Sequence, residues 1–153
     1  MNGPCLGPAP LRGERNDGTS FQDKFRAAVE SLAVTERVYF HRFTDTRAAR
    51  NFVKAQPGDC MVVADGLAHL FELKSTDVGT ALAKFLSSKE GKHEVAEARK
   101  WERAGGRAWF VRGDTREGVV EFYQASAWLR GIKTPYRTCN VEDLMDTLKR
   151  LII

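Results

Sequence analysis

The chain has 153 residues, which is enough for one domain of ordinary size with its own hydrophobic core. Its hydrophobic fraction of 42% and charged fraction of 29% are typical of globular proteins, and they argue against a disordered, collagen-like or fibrous chain. The 24 basic and 20 acidic residues leave a net charge of +4, which mildly favours a polyanionic partner without identifying it.

The sequence shows no sign of a membrane segment or of a disulfide framework. No apolar run approaches the roughly 20 residues that span a bilayer, and the Gly- and Pro-rich start does not resemble a signal peptide. Cys5, Cys60 and Cys139 are isolated, so they fit neither paired disulfides nor the spacing of a zinc site. We therefore expect a cytoplasmic protein with reduced thiols.

The first part of the chain is predicted to form an arm, a helix and a strand. Residues 1–18 combine Gly, Pro and charge with few aliphatic side chains, which predicts a flexible arm ahead of a single domain at 19–153. Apolar residues then recur at three- and four-residue intervals, which predicts a helix beginning near Thr19. Alternation predicts a strand over 38–43, whereas residues 45–55 stay open between a loop and a short helix.

Two β-rich runs follow, and they are predicted to form a hairpin. The runs cover residues 60–64 and 67–74, and only Asp65 and Gly66 separate them. Asp-Gly between two such runs favours a two-residue turn, because both positions of that turn require a positive φ. The sequence therefore predicts two antiparallel strands that share a tight connection.

The second half alternates helical and strand patterns. Residues 78–104 are predicted to be helical, with a break near Gly91 and an end at Gly105. The remaining predicted elements are strands over 107–111 and 119–123, a short helix over 126–129 and a last helix over 141–151.

The predicted hairpin brings charged side chains together. If Ala64 pairs with Leu67, counting outward places Asp59 directly opposite Glu72, with β-carbons about 4.5–5.5 Å apart. Lys74 lies two residues beyond Glu72, so its side chain projects from the same face. Phe71 and Leu73 point the other way, towards the core.

Two opposed carboxylates need compensating positive charge, since like charges destabilise a sheet and burial raises their pKa values. Lys74 supplies one charge, and a divalent cation that prefers oxygen ligands, Mg²⁺ or Mn²⁺, would supply two. A metal ion beside a lysine suits phosphodiester hydrolysis, because it activates water while the ammonium stabilises charge on phosphorus. The alternative is a solvated acidic pair with Lys74 as its salt-bridge partner.

These residues resemble the PD-(D/E)xK nuclease motif, here Pro-Gly-Asp at 57–59 and Glu-Leu-Lys at 72–74. The likeness extends over about residues 18–129, and it includes a helix beginning G-x-x-F, the spacing of the two acidic residues, a later helix with a polar pair, and Gly-Gly before two strands. Within that superfamily the chain is most similar to the RecU-type Holliday junction resolvases and their phage relatives.

The resemblance implies a restriction-endonuclease-like α/β fold, a mixed sheet flanked by helices, in a homodimer that cuts branched DNA in a bacterial or phage-infected cell. It implies that Asp59, Glu72 and the backbone carbonyl of Leu73 bind Mg²⁺, for which Mn²⁺ would substitute. Lys74 would orient the attacking water and stabilise the transition state. The expected function is resolution of four-way junctions by paired phosphodiester hydrolysis.

The chain departs from the family pattern on two helices. The first helix has Gln22 where the family usually has a glutamate, with Asp23 next to it, and Glu30 is a further candidate for a lost ligand. The polar pair on the later helix is His93-Glu94 instead of the more usual His-Gln, which makes His93 an accessory candidate.

Basic residues near these elements are candidates for contact with DNA phosphates, although a solvated surface explains several of them equally well. Two functional alternatives also stay open: a nuclease for duplex ends, nicks or foreign DNA, and a catalytically inactive module that only binds nucleic acid. The candidate phosphate-binding residues are Arg42, Arg47, Lys84, Lys92 and Arg137.

Overall fold

The fold was analysed in a computed structural model, which describes residues 18–43, 57–75, 82–114 and 117–153. The predicted arm at 1–18 lies outside these residues except for Gly18, which begins the first helix. The ambiguous segment at 45–55 and the candidate Arg47 also lie outside them.

The described chain forms one six-stranded mixed sheet with helices on both faces. The strands lie in sequence order across the sheet, and only β3 and β4 are parallel. This confirms the expected α/β class. The elements are α1 (Gly18–Thr35), β1 (Val38–Arg42), β2 (Cys60–Ala64), β3 (Leu67–Ser75), α2 (Leu82–Leu86), α3 (Lys89–Arg103), β4 (Arg107–Asp114), β5 (Val119–Gln124), α4 (Ala125–Leu129), β6 (Arg137–Asn140) and α5 (Leu144–Ile152), with a 3-10 turn at Val141–Asp143.

The central hairpin has the predicted register. Ala64 pairs with Leu67, and the β2–β3 ladder continues to Cys60 opposite Phe71. The turn residues Asp65 and Gly66 have φ values of 50° and 74°, which is the combination that a tight β-hairpin turn demands.

Two separate hydrophobic cores cover the two faces of the sheet. Because strand side chains alternate, Phe71 and Leu73 enter the core beneath α1 and α5, whereas Leu70 enters the core beneath α2, α3 and α4. The first core contains Phe25 and Trp109, both buried. The even-numbered positions of β3 therefore face α3, and the odd-numbered positions face α1. Among the described helices, none is both long and apolar enough to cross a membrane.

The predicted helical break near Gly91 is wrong. The break falls between α2 and α3, and Ser88 caps α3 by accepting a hydrogen bond from the Gly91 N–H at 3.1 Å. Gly91 instead lies inside α3, where a β-carbon would come within 2.2 Å of the Phe85 carbonyl oxygen. This glycine therefore allows α3 to pack closely against the end of α2.

Strand β6 was missed by the sequence prediction, and the last helix begins later than predicted. Residues Arg137–Asn140 are mostly exposed and polar, so they show no alternating hydrophobic pattern. They form a strand because they pair with β5 at the sheet edge. The segment predicted as helix from residue 141 begins with the 3-10 turn, and α5 itself begins at Leu144.

Candidate functional site

Asp59 lies immediately before β2, where the hairpin ladder has already ended. Its backbone N–H donates to the Phe71 carbonyl at 3.0 Å, and its Oδ2 accepts a hydrogen bond from the Leu73 N–H at 2.6 Å. The ladder therefore stops one pair short of the predicted Asp59–Glu72 pair. The carboxylate of Asp59 reaches β3 by bonding to a backbone N–H of that strand.

Glu72 and Lys74 project from the same face of β3, as the strand alternation predicts. The side chain of Glu72 is only 9% exposed, and its Oε1 lies 2.9 Å from the Lys74 Nζ. The Lys74 ammonium also lies 4.0 Å from the centre of the Phe85 ring on α2. This partly buried ion pair lies on the side of the sheet that α2 and α3 cover.

A third carboxylate reaches the same ammonium from α3. Glu94 Oε1 lies 3.3 Å from the Lys74 Nζ, and the Glu94 side chain is 18% exposed. The other oxygen, Oε2, is buried and makes no hydrogen bond within the described part of the chain. Glu72 and Glu94 thus share one lysine, and Asp59 interacts with Glu72. We call these four residues the carboxylate–lysine cluster.

Burial and mutual repulsion make ionisation of the cluster unfavourable. Burial is the largest cause that raises the pKa of Glu72 well above its ordinary value, and the charge of Asp59 raises it further. Burial also raises the pKa of Asp59, although the Leu73 N–H and the Lys74 charge oppose that effect. The pKa of Lys74 is raised, because Glu72 and Glu94 stabilise the ammonium more than burial disfavours it. When all four groups are ionised, negative charge exceeds positive charge.

The donor chemistry of the cluster fits a hard divalent cation. Within the described residues, no three His, Cys, Asp or Glu side chains are grouped as a ready-made metal cage. Mg²⁺ does not require such a cage, since it usually keeps several waters and binds through one or two carboxylates. Asp59 and Glu72 would supply two oxygen ligands, and an added cation would offset the excess negative charge.

The backbone carbonyl of Leu73 is on the correct side of β3 to join them. The N–H of Leu73 points towards Asp59, and the N–H and C=O groups of one strand residue face the same neighbouring strand. Leu73 also lies beyond the last β2–β3 pair, which ends at Phe71. The carbonyl of Leu73 therefore faces the side of β3 on which Asp59 lies.

The accessory candidates on α1 lie in a helix that packs on the opposite face of the sheet. Phe21 and Phe25 bury α1 in the core that contains Phe71, whereas Glu72 and Lys74 face the other side. Gln22 is half-buried on this helix. Asp23 and Glu30 instead form ion pairs with Arg26, at 3.4 and 3.8 Å, and are largely exposed. The described contacts bring none of the three to Glu72.

On α3 the sequence pair His93-Glu94 splits between solvent and the cluster. His93 is exposed, and Glu94 is the member that reaches Lys74. The reason is helical periodicity, since the buried residues Gly91 and Ala98 define the inward stripe and Glu94 falls between them. Periodicity is the sequence signal that would have selected Glu94 over His93.

The candidate DNA contacts differ in their distance from the cluster. Arg42 pairs with Cys60 at the end of β1, next to Asp59, and it is exposed. Lys84 and Lys92 are exposed on the helices above the cluster. Arg137 lies on β6, three strands away from β3, or roughly 14 Å across the sheet. Its proximity to the site is therefore not supported.

Sequence reasoning also missed a partly buried polar group beside the cluster. Arg112 is the register partner of Lys74 on β4, and its Nε lies 3.1 Å from Glu121 Oε2 on β5. Tyr123 donates to the same oxygen at 2.7 Å. With Lys74, these polar residues lie side by side on three neighbouring strands. No short sequence motif predicts them, because they come from different strands.

Comparison with known protein families and curated proteins found no relative of this chain. No protein-family model matches the chain, and no curated protein matches it at a significant level. The likeness to PD-(D/E)xK nucleases therefore depends on the motif residues and on the geometry described above.

Proposed function

We propose that the protein is a metal-dependent DNA endonuclease with a restriction-endonuclease-like fold, and that its physiological substrate is a four-way junction. The observation that carries this proposal is the carboxylate–lysine cluster, in which the buried Glu72 interacts with both Asp59 and Lys74 at the end of the β2–β3 hairpin. The mixed sheet and the order of its elements are compatible with that fold.

The energetics of the cluster support a functional role over a structural one. A buried acidic pair with raised pKa values costs stability, and well-packed apolar residues would serve the fold better. Perturbed titratable groups of this kind concentrate at functional sites. The solvated alternative is disfavoured, because Glu72 is nearly buried.

Each residue has a chemical role in the proposed reaction. Asp59 and Glu72 would hold Mg²⁺ together with the Leu73 carbonyl, and the Leu73 N–H keeps the Asp59 carboxylate in place. Lys74 would orient the attacking water and offset the negative charge that develops on phosphorus. When bound, the divalent cation would supply Lewis-acid stabilisation and a lowered pKa for water.

Four-way junctions are the proposed substrate because the motif is most similar to that of the junction resolvases. Resolution requires two symmetric incisions, and a twofold homodimer would present two active sites at a fixed separation. The net charge of +4 favours a polyanionic substrate in general. Exposed Arg42, beside Asp59, is a candidate contact for a neighbouring phosphate.

The test is a cleavage assay on a synthetic four-way junction and on linear duplex of the same sequence, with Mg²⁺ or with chelator. We expect wild type to cut the junction only with Mg²⁺, and Lys74→Ala and Asp59→Asn to lower the rate by about 10²–10³-fold. Lys89→Ala, an exposed lysine on α3, is the control that should cut normally. Lys74→Ala should still bind the four-way junction in the presence of chelator.

Other outcomes would replace this function with one of its alternatives. If the protein cuts linear duplex as fast as it cuts the junction, it is a nuclease whose substrate is not specifically the four-way junction. A wild-type protein that binds junctions but never cuts them would indicate a nucleic-acid-binding module. Lys74→Ala would then behave like wild type in both the binding and the cleavage assay.

A further inference from the structure

The face of β1 that points away from α1 carries three aromatic rings in succession. Tyr39, His41 and Phe43 alternate with Val38 and Phe40, which pack in the core beneath α1 and α5. Tyr39 is 58% exposed, His41 is exposed and Phe43 is half-buried. The ring centres of His41 and Phe43 lie 5.3 Å apart. We call these three side chains the aromatic row.

The aromatic row leads directly to the carboxylate–lysine cluster. The Phe43 N–H donates to the Asp59 carbonyl at 3.0 Å, so the row ends at the residue that begins the cluster. Phe43 also packs in the core beneath α2, α3 and α4, the same side of the sheet that Glu72 and Lys74 face. The row and the cluster therefore lie next to each other on the same side of the sheet.

The spacing of the rings suits an unpaired nucleic-acid strand. Side chains two residues apart on a strand start about 6.5 Å apart, and the ring centres of His41 and Phe43 lie 5.3 Å apart. Both distances exceed the rise of about 3.4 Å per nucleotide along a duplex strand. Bases within a duplex are also stacked on both sides, so their faces are closed to a protein ring. An extended unpaired strand can open to match the rings, and base–aromatic stacking tolerates any sequence.

The surroundings of the row fit the same ligand. Met61 and Val63, the partners of His41 and Tyr39 on β2, are half-buried and give the rings an apolar border. Arg37, just before β1, is exposed. Rings and aliphatic side chains suit bases, and the guanidinium group of Arg37 suits a phosphate.

We propose that the aromatic row binds an unpaired DNA strand by stacking and guides it to Asp59. The preferred substrate would then be a four-way junction or another branch that exposes unpaired nucleotides near the cut, in place of continuous duplex. The guiding role rests on the proposed nuclease function, whereas strand binding by the row does not.

Strand binding is tested by fluorescence anisotropy with a labelled thymidine oligonucleotide of about 15 nucleotides, near the upper limit of a single-strand site. The buffer contains chelator, so no cleavage occurs. Tyr39→Leu should weaken binding about tenfold, as expected from the loss of one stacked base. Tyr39→Phe should bind like wild type, because the ring is retained.

Tyr136→Leu is the matched control. Tyr136 is 55% exposed, similar to Tyr39, but its ring contacts Trp109 in the core on the opposite face. We expect this variant to bind the oligonucleotide normally. Equal losses for Tyr39→Leu and Tyr136→Leu, or an equal loss for Tyr39→Phe, would overturn the proposal.

A photo-cross-link from 5-iodouracil within the oligonucleotide gives a second measurement that does not depend on a variant. An adduct on Tyr39, His41 or Phe43 is expected, and adducts found only elsewhere would overturn the proposal. If Tyr39→Leu dissociates a dimer in light scattering without changing oligonucleotide affinity, the row is a subunit contact and the proposal fails.

Cleavage of a splayed-arm substrate and of duplex, both with Mg²⁺, separates this inference from the nuclease proposal. Wild type should favour the splayed arm, and Tyr39→Leu should lose that preference. If wild type cuts both substrates equally and the variant matches it, the guiding role fails while the nuclease stands. If wild type binds through Tyr39 but cuts nothing, the nuclease fails while strand binding stands.

Discussion

The two faces of the sheet are built from the same strands but differ in what they bury. Beneath α1 and α5 the core consists of aromatic and aliphatic side chains, with Phe25 and Phe71 in ring contact at 5.2 Å. Beneath α2 and α3 the apolar core shares its layer with Glu72, Lys74 and Glu94. We infer that the first face stabilises the fold, whereas the second loses stability by holding the carboxylate–lysine cluster.

The largest expected effect lies in the apolar face. Phe25→Ala should lower the free energy of unfolding by about 3–5 kcal/mol, because it removes a fully buried ring and leaves a cavity. Urea denaturation measures this change. Val34→Ala, on the same helix but 85% exposed, should stay within about 0.5 kcal/mol. A similar loss in both variants would contradict the assignment of α1's buried face.

The second prediction concerns a polar group within the apolar face. His69 is buried, and its Nδ1 accepts the Trp109 Nε1–H at 3.2 Å. Burial, and then the charge of Arg107, lower the pKa of His69 from 6.5 to about 4. The unfolded chain therefore binds a proton at a higher pH than the native protein does, and stability falls as pH drops from 6.5 towards 4.

This loss should reach about 3 kcal/mol near pH 4, and His69→Gln should remove it while keeping an acceptor for the tryptophan. Urea denaturation at several pH values measures the slope. His93→Gln, at an exposed histidine, is the control. A slope that is equally steep in His69→Gln and wild type would show that other groups cause the acid sensitivity.

The smallest effect, of opposite sign, is expected in the charged face. Glu72→Gln should raise the free energy of unfolding at neutral pH by about 1 kcal/mol without divalent cations, because it removes a buried charge that Asp59 repels. Since the pKa of Glu72 is raised in the native state, its stabilising contribution is complete at low pH and is lost as pH rises. The advantage of the glutamine should therefore grow with pH.

Thermal unfolding with and without Mg²⁺ sharpens this comparison. Wild type should gain stability from Mg²⁺, because binding to the native state alone shifts the equilibrium. Glu72→Gln should gain little, and Glu90→Gln, at an exposed position on α3, should respond like wild type. A destabilised Glu72→Gln protein would mean that this carboxylate serves the fold.

Much of the fold could be predicted because its signals are local. The Asp65-Gly66 turn set the hairpin register, and the spacing of Phe21 and Phe25 located α1. The missed strand β6 has no such signal, since its residues are exposed and are ordered by pairing with β5. The misplaced break at Gly91 shows that a glycine can serve close helix packing as well as helix termination.

In the candidate site, too, the contacts that follow from local sequence patterns could be predicted and the others could not. The meeting of Glu72 and Lys74 follows from strand alternation, and Asp59 follows from the hairpin register to within one residue. The hydrogen bond from the Leu73 N–H to the Asp59 carboxylate could not be read from alternation, because it lies beyond the ladder. Glu94 could be placed only by packing α3 on the sheet, which is a tertiary event.

The hairpin has a consequence for how the three carboxylates of the cluster come together during folding. Asp59 and Glu72 are joined by a short local connection, whereas Glu94 approaches only when β4 pairs in parallel with β3 after the intervening helices have crossed the sheet. Contacts that close small loops form early, and long crossover contacts form late. We therefore expect the acidic pair to assemble first, and the helix carrying Glu94 to enclose it last.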